Sequence, residues 1–175
     1  MKLSYIPLIF IAACLISCKE NENAKTVDVI NETPKQGEDK AETAIRKEIA
    51  AYAKEYLGTS YCYAGNSPER GFDCSGFVNF VFKNFNIELP RSSSGFTNLG
   101  TPLKPEEFRV GDILVFYGYR DTDSVGHVGI ICEANGMQSK FIHSSSGSEM
   151  AVIISDLGSD MYTKRFYKCI NPFEL

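Results

Sequence analysis

The chain has 175 residues, 43% of them hydrophobic and 12% aromatic, which is enough to bury one core but hardly two. Its net charge of −4, with no long run of Lys and Arg, offers no basic field, so nucleic acid is not an expected partner. No internal repeat divides it.

Met1 to Cys18 reads as an export signal. Lys2 supplies the positive start, Ile6 to Ile16 is apolar, and the run is too short to span a bilayer as a helix. Its end, Leu15-Ile16-Ser17-Cys18, resembles the lipobox of bacterial lipoproteins, in which cleavage precedes the cysteine and the thiol receives a diacylglycerol. That resemblance implies a signal peptide over residues 1–17, lipidation at Cys18, and a membrane as partner through the acyl chains. A plain secretory signal and an uncleaved anchor are the competing readings. Lys19 stands where the inner-membrane retention signal of enteric lipoproteins has Asp, and Lys19-Glu20-Asn21-Glu22-Asn23 also suits surface export. The expected place is therefore the bacterial cell envelope, on a periplasmic or a surface face.

Residues 18–43 are polar, charged and interrupted by Pro34 and Gly37, with too little apolar content to offset the entropy of ordering, so a flexible tether is expected there. A folded domain is expected over 44–175. It opens on an amphipathic helix, Ala41 to Leu57, whose Ile45, Ile49, Ala50, Tyr52, Ala53 and Tyr56 recur at three-to-four spacing and which Gly58 closes. Gly58 to Gly71 is rich in loop formers and runs into Asp73-Cys74-Ser75-Gly76.

Phe77, Val78, Val81 and Phe85 then mark one face of a second helix. A short helix or loop covers Ser92 to Gly100, and the period changes after it. Asp112 to Tyr117, His127 to Cys132, Lys140 to His143, Ala151 to Ile154 and Arg165 to Ile170 are β-branched or aromatic runs bounded by Gly, Asn, Asp and Ser. Helices first and five strands after, with connections too short for crossover helices, predict an α+β domain with an antiparallel sheet.

Cys74 falls at the start of the second helix, where unpaired N–H groups and the positive end of the dipole favour an anion and are expected to lower the thiol's pKa. A cysteine beside an apolar helix is more often a small core residue. Asp73, Ser75 and Gly76 suit a tightly turned helix start better than a core and shift the balance toward a nucleophile. A cysteine nucleophile needs a base, and the base needs a third group to hold its orientation. His127 and His143, the chain's two histidines, each lie at the end of a predicted strand and can fill those roles.

Tyr61 with Gly65, Asp73-Cys74-Ser75-Gly76-Phe77, Leu89-Pro90-Arg91, Gly111-Asp112-Ile113-Leu114-Val115-Phe116, His127-Val128-Gly129-Ile130 and Phe141-Ile142-His143 together resemble the ordered signature of the NlpC/P60 family of cell-wall cysteine peptidases, over roughly residues 44 to 170. The resemblance implies a papain-like α+β fold, with N-terminal helices packed on a five- to six-stranded antiparallel sheet. It implies peptidoglycan stem peptides as substrate. It makes Cys74 the nucleophile, His127 the base and His143 the group that orients it, with Tyr61 near the oxyanion and Asp73, Ser75 and Arg91 along the substrate groove. Ala64 departs from the pattern where a second glycine is common, Phe96 where glutamine is common, and Val110 where proline is common; Phe96 is expected on the substrate side.

Peptide hydrolysis by this route needs no cofactor, and no metal is expected. One Cys and two His are the donor set of a catalytic zinc site, but the wide spacing and the helix-start cysteine suit a nucleophile better. Cys132 and Cys169 fit strand cores, with a disulfide between them open, and Cys62 beside Tyr61 is a candidate for oxidative pairing with Cys74. A monomer is expected. The competing functions are a catalytically silent wall-binding lipoprotein and an amidase or transferase on the same fold.

Overall fold

The structure, a computed structural model, describes residues 36–175; the predicted signal peptide, Cys18 and the tether as far as residue 35 lie outside the described residues. Helix α1 spans Gln36–Lys54, so it starts five residues before Ala41 and takes in the end of the expected tether. Gln, Glu, Lys and Ala are good helix formers that extend a helix without needing an apolar face, and apolar periodicity cannot register them. Past Lys54 the chain tightens into i→i−3 turns as far as Leu57, and Gly58 ends them at φ +83°. Among the described residues no helix is long and apolar enough to cross a membrane.

A two-residue hairpin, β1 (Asn66–Ser67) and β2 (Gly71–Phe72), leads into helix α2 (Cys74–Lys83). The main sheet is built from β3 (Ile113–Tyr117), β4 (Val125–Glu133), β5 (Lys140–Ser144), β6 (Val152–Asp156) and β7 (Phe166–Ile170). Every pair is antiparallel and the order is β6-β5-β4-β3-β7, so the five predicted strands are all present. β3 to β6 form a meander. β7 then returns to the far edge beside β3, and that longer passage contains α3 (Asp160–Arg165), a helix too short to show a period in the sequence.

Alternation along the strands gives the sheet two buried faces. Ile113, Val115, Val128, Ile130, Ile142 and Ile170 point to the side covered by α1 and α2, where Ile49, Ala53, Phe72, Phe77, Val78, Val81 and Phe82 complete the larger core. Leu114, Phe116, Ile131, Phe141 and Cys169 point the other way, onto Leu157 and Tyr162. Cys132 joins the first core and Cys169 the second, so the two thiols lie on opposite faces and both are free. Phe96 is fully buried in the first core and does not reach a substrate side: it ends a 3₁₀ turn, Ser93–Phe96, whose serines stay at the surface side.

A buried polar knot fixes α1 to this frame. Arg46 reaches Asp112 at 2.6 Å, Asn171 at 2.5 Å and Glu42 at 2.8 Å, and its guanidinium lies 4.7 Å from the centre of the Phe173 ring. Asp112 is fully buried and also accepts the Arg109 amide at 2.7 Å. The Gly-Asp pair ahead of β3 thus joins the first helix, the sheet and the C-terminal segment. Asp112→Ala would leave the Arg46 cation buried without its closest carboxylate, and a loss of about 3–5 kcal/mol is expected in urea unfolding; a loss below about 1 kcal/mol would show that the knot is dispensable.

Candidate active site

Cys74 is the first residue of α2, as the sequence places it. Asp73 caps the helix: its Oδ1 accepts the Gly76 amide at 2.6 Å. Gly76 sits so close to the Gly65 carbonyl that any Cβ would collide with it, which pins the helix start to the turn after Tyr61. Arg91 grips Asp73 with two hydrogen bonds of 3.0 Å, one to each carboxylate oxygen, and donates to the Gly65 carbonyl at 3.1 Å. Ser75 is buried and donates to the Arg91 carbonyl at 2.7 Å. Tyr61, Asp73, Cys74, Ser75 and Arg91 therefore share one wall, around a cavity of about 480 Å³. The polar atoms of Asp73, Ser75 and Arg91 are committed to one another, whereas the Tyr61 hydroxyl makes no hydrogen bond among the described residues. Ala64, in the same cavity, holds φ +58°, a left-handed conformation that accounts for the smaller residue common there.

The histidines come from the sheet. Ile130 pairs with Ile142 across β4 and β5, which puts His127 and His143 on the same face, two residues out of register. Their rings meet edge to face with His127 Nε2 2.8 Å from His143 Nδ1. Gly129 makes room: a Cβ there would lie 2.6 Å from the Phe141 ring and 3.1 Å from the His143 Cβ. The far nitrogen of His143, Nε2, lies 3.0 Å from Ser155 Oγ and 3.2 Å from the Tyr162 hydroxyl. Ser155 and Tyr162 were not singled out in the sequence. Ser155 lies opposite Phe141 in the β5–β6 register, on the face of His143, so strand alternation contained it once the pairing was known. Tyr162 belongs to α3, for which the sequence carries no signal.

Cys74 reaches the start of β4. The sulfur lies 4.0 Å from the carbonyl oxygen of Gly126, the residue before His127, and Gly126 is shared between the cysteine's cavity and a second one of about 860 Å³ walled by His127. With Nε2 of His127 turned to His143, Nδ1 is the nitrogen left for another partner. The two rings spend their facing nitrogens on each other, and among the described residues no group of three or more His, Cys, Asp or Glu is arranged to hold a metal ion.

The electrostatics reverse one expectation. Burial, with Asp73 next in weight, pushes the Cys74 thiol up to about 11, although the amides of Val128, Ser75 and Cys74 aimed at the sulfur pull the other way. The helix end was expected to lower it, but desolvation of the charged form outweighs the few aligned amides. Burial also drives His127 well below the ordinary histidine range, helped by His143 and Arg165, and drives His143 down to about 3. Both shifts favour the uncharged forms, thiol and imidazole, at neutral pH. Neither group then buries a charge.

A helix that carries a thiol at its start, packed on an antiparallel sheet that carries the imidazoles, is the α+β layout of the papain-like fold. The profile of the NlpC/P60 family matches residues 58–171, and the chain belongs to that family. It is 32% identical over 174 residues to the murein DD-endopeptidase MepS/murein LD-carboxypeptidase of Escherichia coli strain K12, covering 92% of this chain and 87% of that one. It is 34% identical over 119 residues to the gamma-DL-glutamyl hydrolase of Bacillus subtilis strain 168, covering 68% of this chain but 28% of that much longer protein. Among solved structures, an NlpC/P60 family protein from Bacillus cereus matches with a TM-score of 0.62 and 28% identity, over 72% of this chain and 39% of that one.

A raised thiol pKa sets the pH dependence of alkylation. Below about 11 the thiolate fraction, and so the iodoacetamide rate at Cys74, is expected to rise about tenfold per pH unit from pH 7 to 10. Peptide-resolved mass spectrometry separates Cys74 from the partly exposed Cys62. A rate already flat from pH 6 upward would mean a preformed thiolate–imidazolium pair instead.

Proposed function

We propose that the chain is a peptidoglycan endopeptidase that hydrolyses an amide bond in the stem peptide or its cross-link, with Cys74 as nucleophile, His127 as base and His143 as the group that orients it. The observation that carries the reading is the 2.8 Å contact between His127 and His143, with Cys74 against Gly126 at the same point of β4. The names of the Escherichia coli and Bacillus subtilis relatives support a substrate of this kind.

The chemistry follows from where the protons sit. His127 carries hydrogen on Nε2, donates it to His143 Nδ1 and keeps a lone pair on Nδ1; His143 in turn donates from Nε2 toward Ser155. As substrate binds, the Cys74 thiol gives its proton to His127 Nδ1 and the sulfur attacks the amide carbon. The oxyanion forms where the Cys74 amide and the Tyr61 hydroxyl can donate to it. Collapse breaks the C–N bond, the leaving amine takes the proton from His127, and a thioester remains on Cys74. Water, deprotonated by His127, then attacks the thioester, which releases the acid and restores the thiol. Asp73, Ser75 and Arg91 hold the helix start and the groove wall rather than exchanging protons. No cofactor takes part.

The same proposal includes a lipid anchor at Cys18, after removal of residues 1–17, which would hold the catalytic domain at a membrane of the bacterial envelope. Several acyl chains, at roughly 0.8 kcal/mol per buried CH₂, suffice for stable attachment.

Two measurements test these claims. Full-length protein and its Cys74→Ala variant are incubated with purified peptidoglycan of more than one wall chemistry, and released muropeptides are read by mass spectrometry. Fragments made by the wild type alone are expected and identify the bond; a variant that still makes them at more than about one part in a thousand of the wild-type rate would remove Cys74 from the mechanism. In bacteria, Cys18→Ala is expected to move the protein from the membrane to the soluble fraction. Unchanged retention on membranes would end the anchor proposal.

A further inference from the structure

The second cavity, on the His127 side of the nucleophile, is where the leaving half of the substrate must go if the mechanism proposed above holds. The reason is chemical: the leaving amine takes its proton from His127, so it departs on that ring's side, while the acyl half stays with Cys74, Tyr61 and the smaller cavity. The walls of the larger cavity differ in kind from those of the smaller. On the cysteine side the charges are matched, Asp73 against Arg91. On the histidine side Arg165 and the exposed Arg120 face one exposed carboxylate, Glu149, in a protein whose net charge is −4.

Arg165 is the unusual one. It is half-buried at the end of α3, and its Nε donates to the Tyr117 carbonyl at 3.0 Å. Its guanidinium carbon lies 5.8 Å from the centre of the Tyr119 ring and 5.9 Å from that of Tyr162. These contacts fix the plane of the group. Its two Nη nitrogens have no hydrogen-bond partner, and no carboxylate pairs with it, among the described residues. A half-desolvated cation without an anion is costly to keep, and a planar fork with free donors matches a carboxylate with two parallel hydrogen bonds. Arg165 lines the same cavity as His127, the one into which the leaving group of the proposed reaction departs.

We propose that Arg165 is a specificity residue that binds a carboxylate on the residue immediately after the scissile bond. The carboxylate has two possible sources with the same chemistry: the free α-carboxylate of a terminal residue, or the second carboxylate of a diamino dicarboxylic acid in the stem. Exposed Tyr119, beside Arg165, would cover the apolar part of the same residue.

The test uses four stem peptides that differ only at the leaving residue: lysine or a diamino dicarboxylic acid, each ending in a free acid or an amide. The full-length protein is expected to prefer the carboxylate in at least one contrast by about 10- to 100-fold in kcat/KM, chiefly through KM. That contrast names the source. In Arg165→Gln the preference is expected to fall to about one; Arg165→Lys, which keeps the charge without the fork, is expected to retain only a small part of it. A ratio between two substrates on one variant is insensitive to a general loss of folded protein. The same peptides are titrated onto Cys74→Ala, with and without Arg165→Gln, so that binding is read without turnover. Equal binding of acid and amide forms in both contrasts, or a preference that survives Arg165→Gln, would overturn the proposal. A carboxylate preference in binding that Arg165→Gln abolishes, without hydrolysis by the wild type, would overturn the catalytic reading and with it the position after a scissile bond, and leave Arg165 as a carboxylate-binding residue.

Discussion

Everything at the site depends on how α2 is seated on the sheet. On the proposed mechanism neither half acts alone: the thiol belongs to a helix and the imidazoles to strands 53 or more residues further on. What joins them is the packing of Phe77, Val78, Val81 and Phe82 against the face formed by Val128, Ile130 and Ile142. Each such side chain contributes about 1.5–3 kcal/mol on burial, against about 1 kcal/mol for the Asp73 cap. Packing therefore sets where the helix lies, and the cap sets where it begins. The cap, the Arg91 clamp and the close approach of Gly76 to Gly65 divide that second task between them, and the result is a sulfur fixed at Gly126.

The state of the thiol shows which physical effect wins at this junction. A helix end stabilises a charge by roughly 0.3–1 kcal/mol when exposed, whereas burial moves a pKa by as much as several units. The partly buried Cys74, with the Asp73 carboxylate adjacent, falls on the side of burial. The histidines follow the same rule with the opposite sign, because for them burial disfavours the protonated form. Both shifts favour the uncharged pair. The aligned amides then matter for charge that forms during a reaction, on sulfur or on an oxyanion, and that is where preorganised dipoles are worth most.

The strands and the second helix were legible in the sequence because each carries a period and a boundary: Gly111-Asp112 before β3, Gly126 within the start of β4, Asp73 before α2. The same local signals singled out Cys74, His127 and His143; the structure sets His127 Nε2 2.8 Å from His143 Nδ1 and the Cys74 sulfur 4.0 Å from the Gly126 carbonyl oxygen. What was not legible needed tertiary information. Helix α1 extends back to Gln36 on residues with propensity but no apolar pattern. α3 is a single exposed stretch that gains its place by burying Tyr162. Phe96 is read as a surface residue only when it is compared with glutamine; its own apolar character belongs in the core, where it lies. The direction of the Cys74 shift depends on how much of the sulfur is covered, and no spacing rule contains that quantity.

Ser155 and Tyr162 show why the far side of the sheet also matters. His143 is wholly buried, so its second nitrogen needs a partner inside the protein, and β6 and α3 supply two. Without them the ring's tautomer would be unfixed, and His127 would lose the acceptor that leaves its Nδ1 bare. α3 thus carries two side chains one turn apart, Tyr162 against His143 and Arg165 toward the adjoining cavity. Any movement of this short helix would alter the surroundings of His143 and the cationic wall together. On the proposed mechanism, the identity of the leaving residue and the readiness of the base are therefore coupled through one small element, although neither of its two side chains touches the nucleophile.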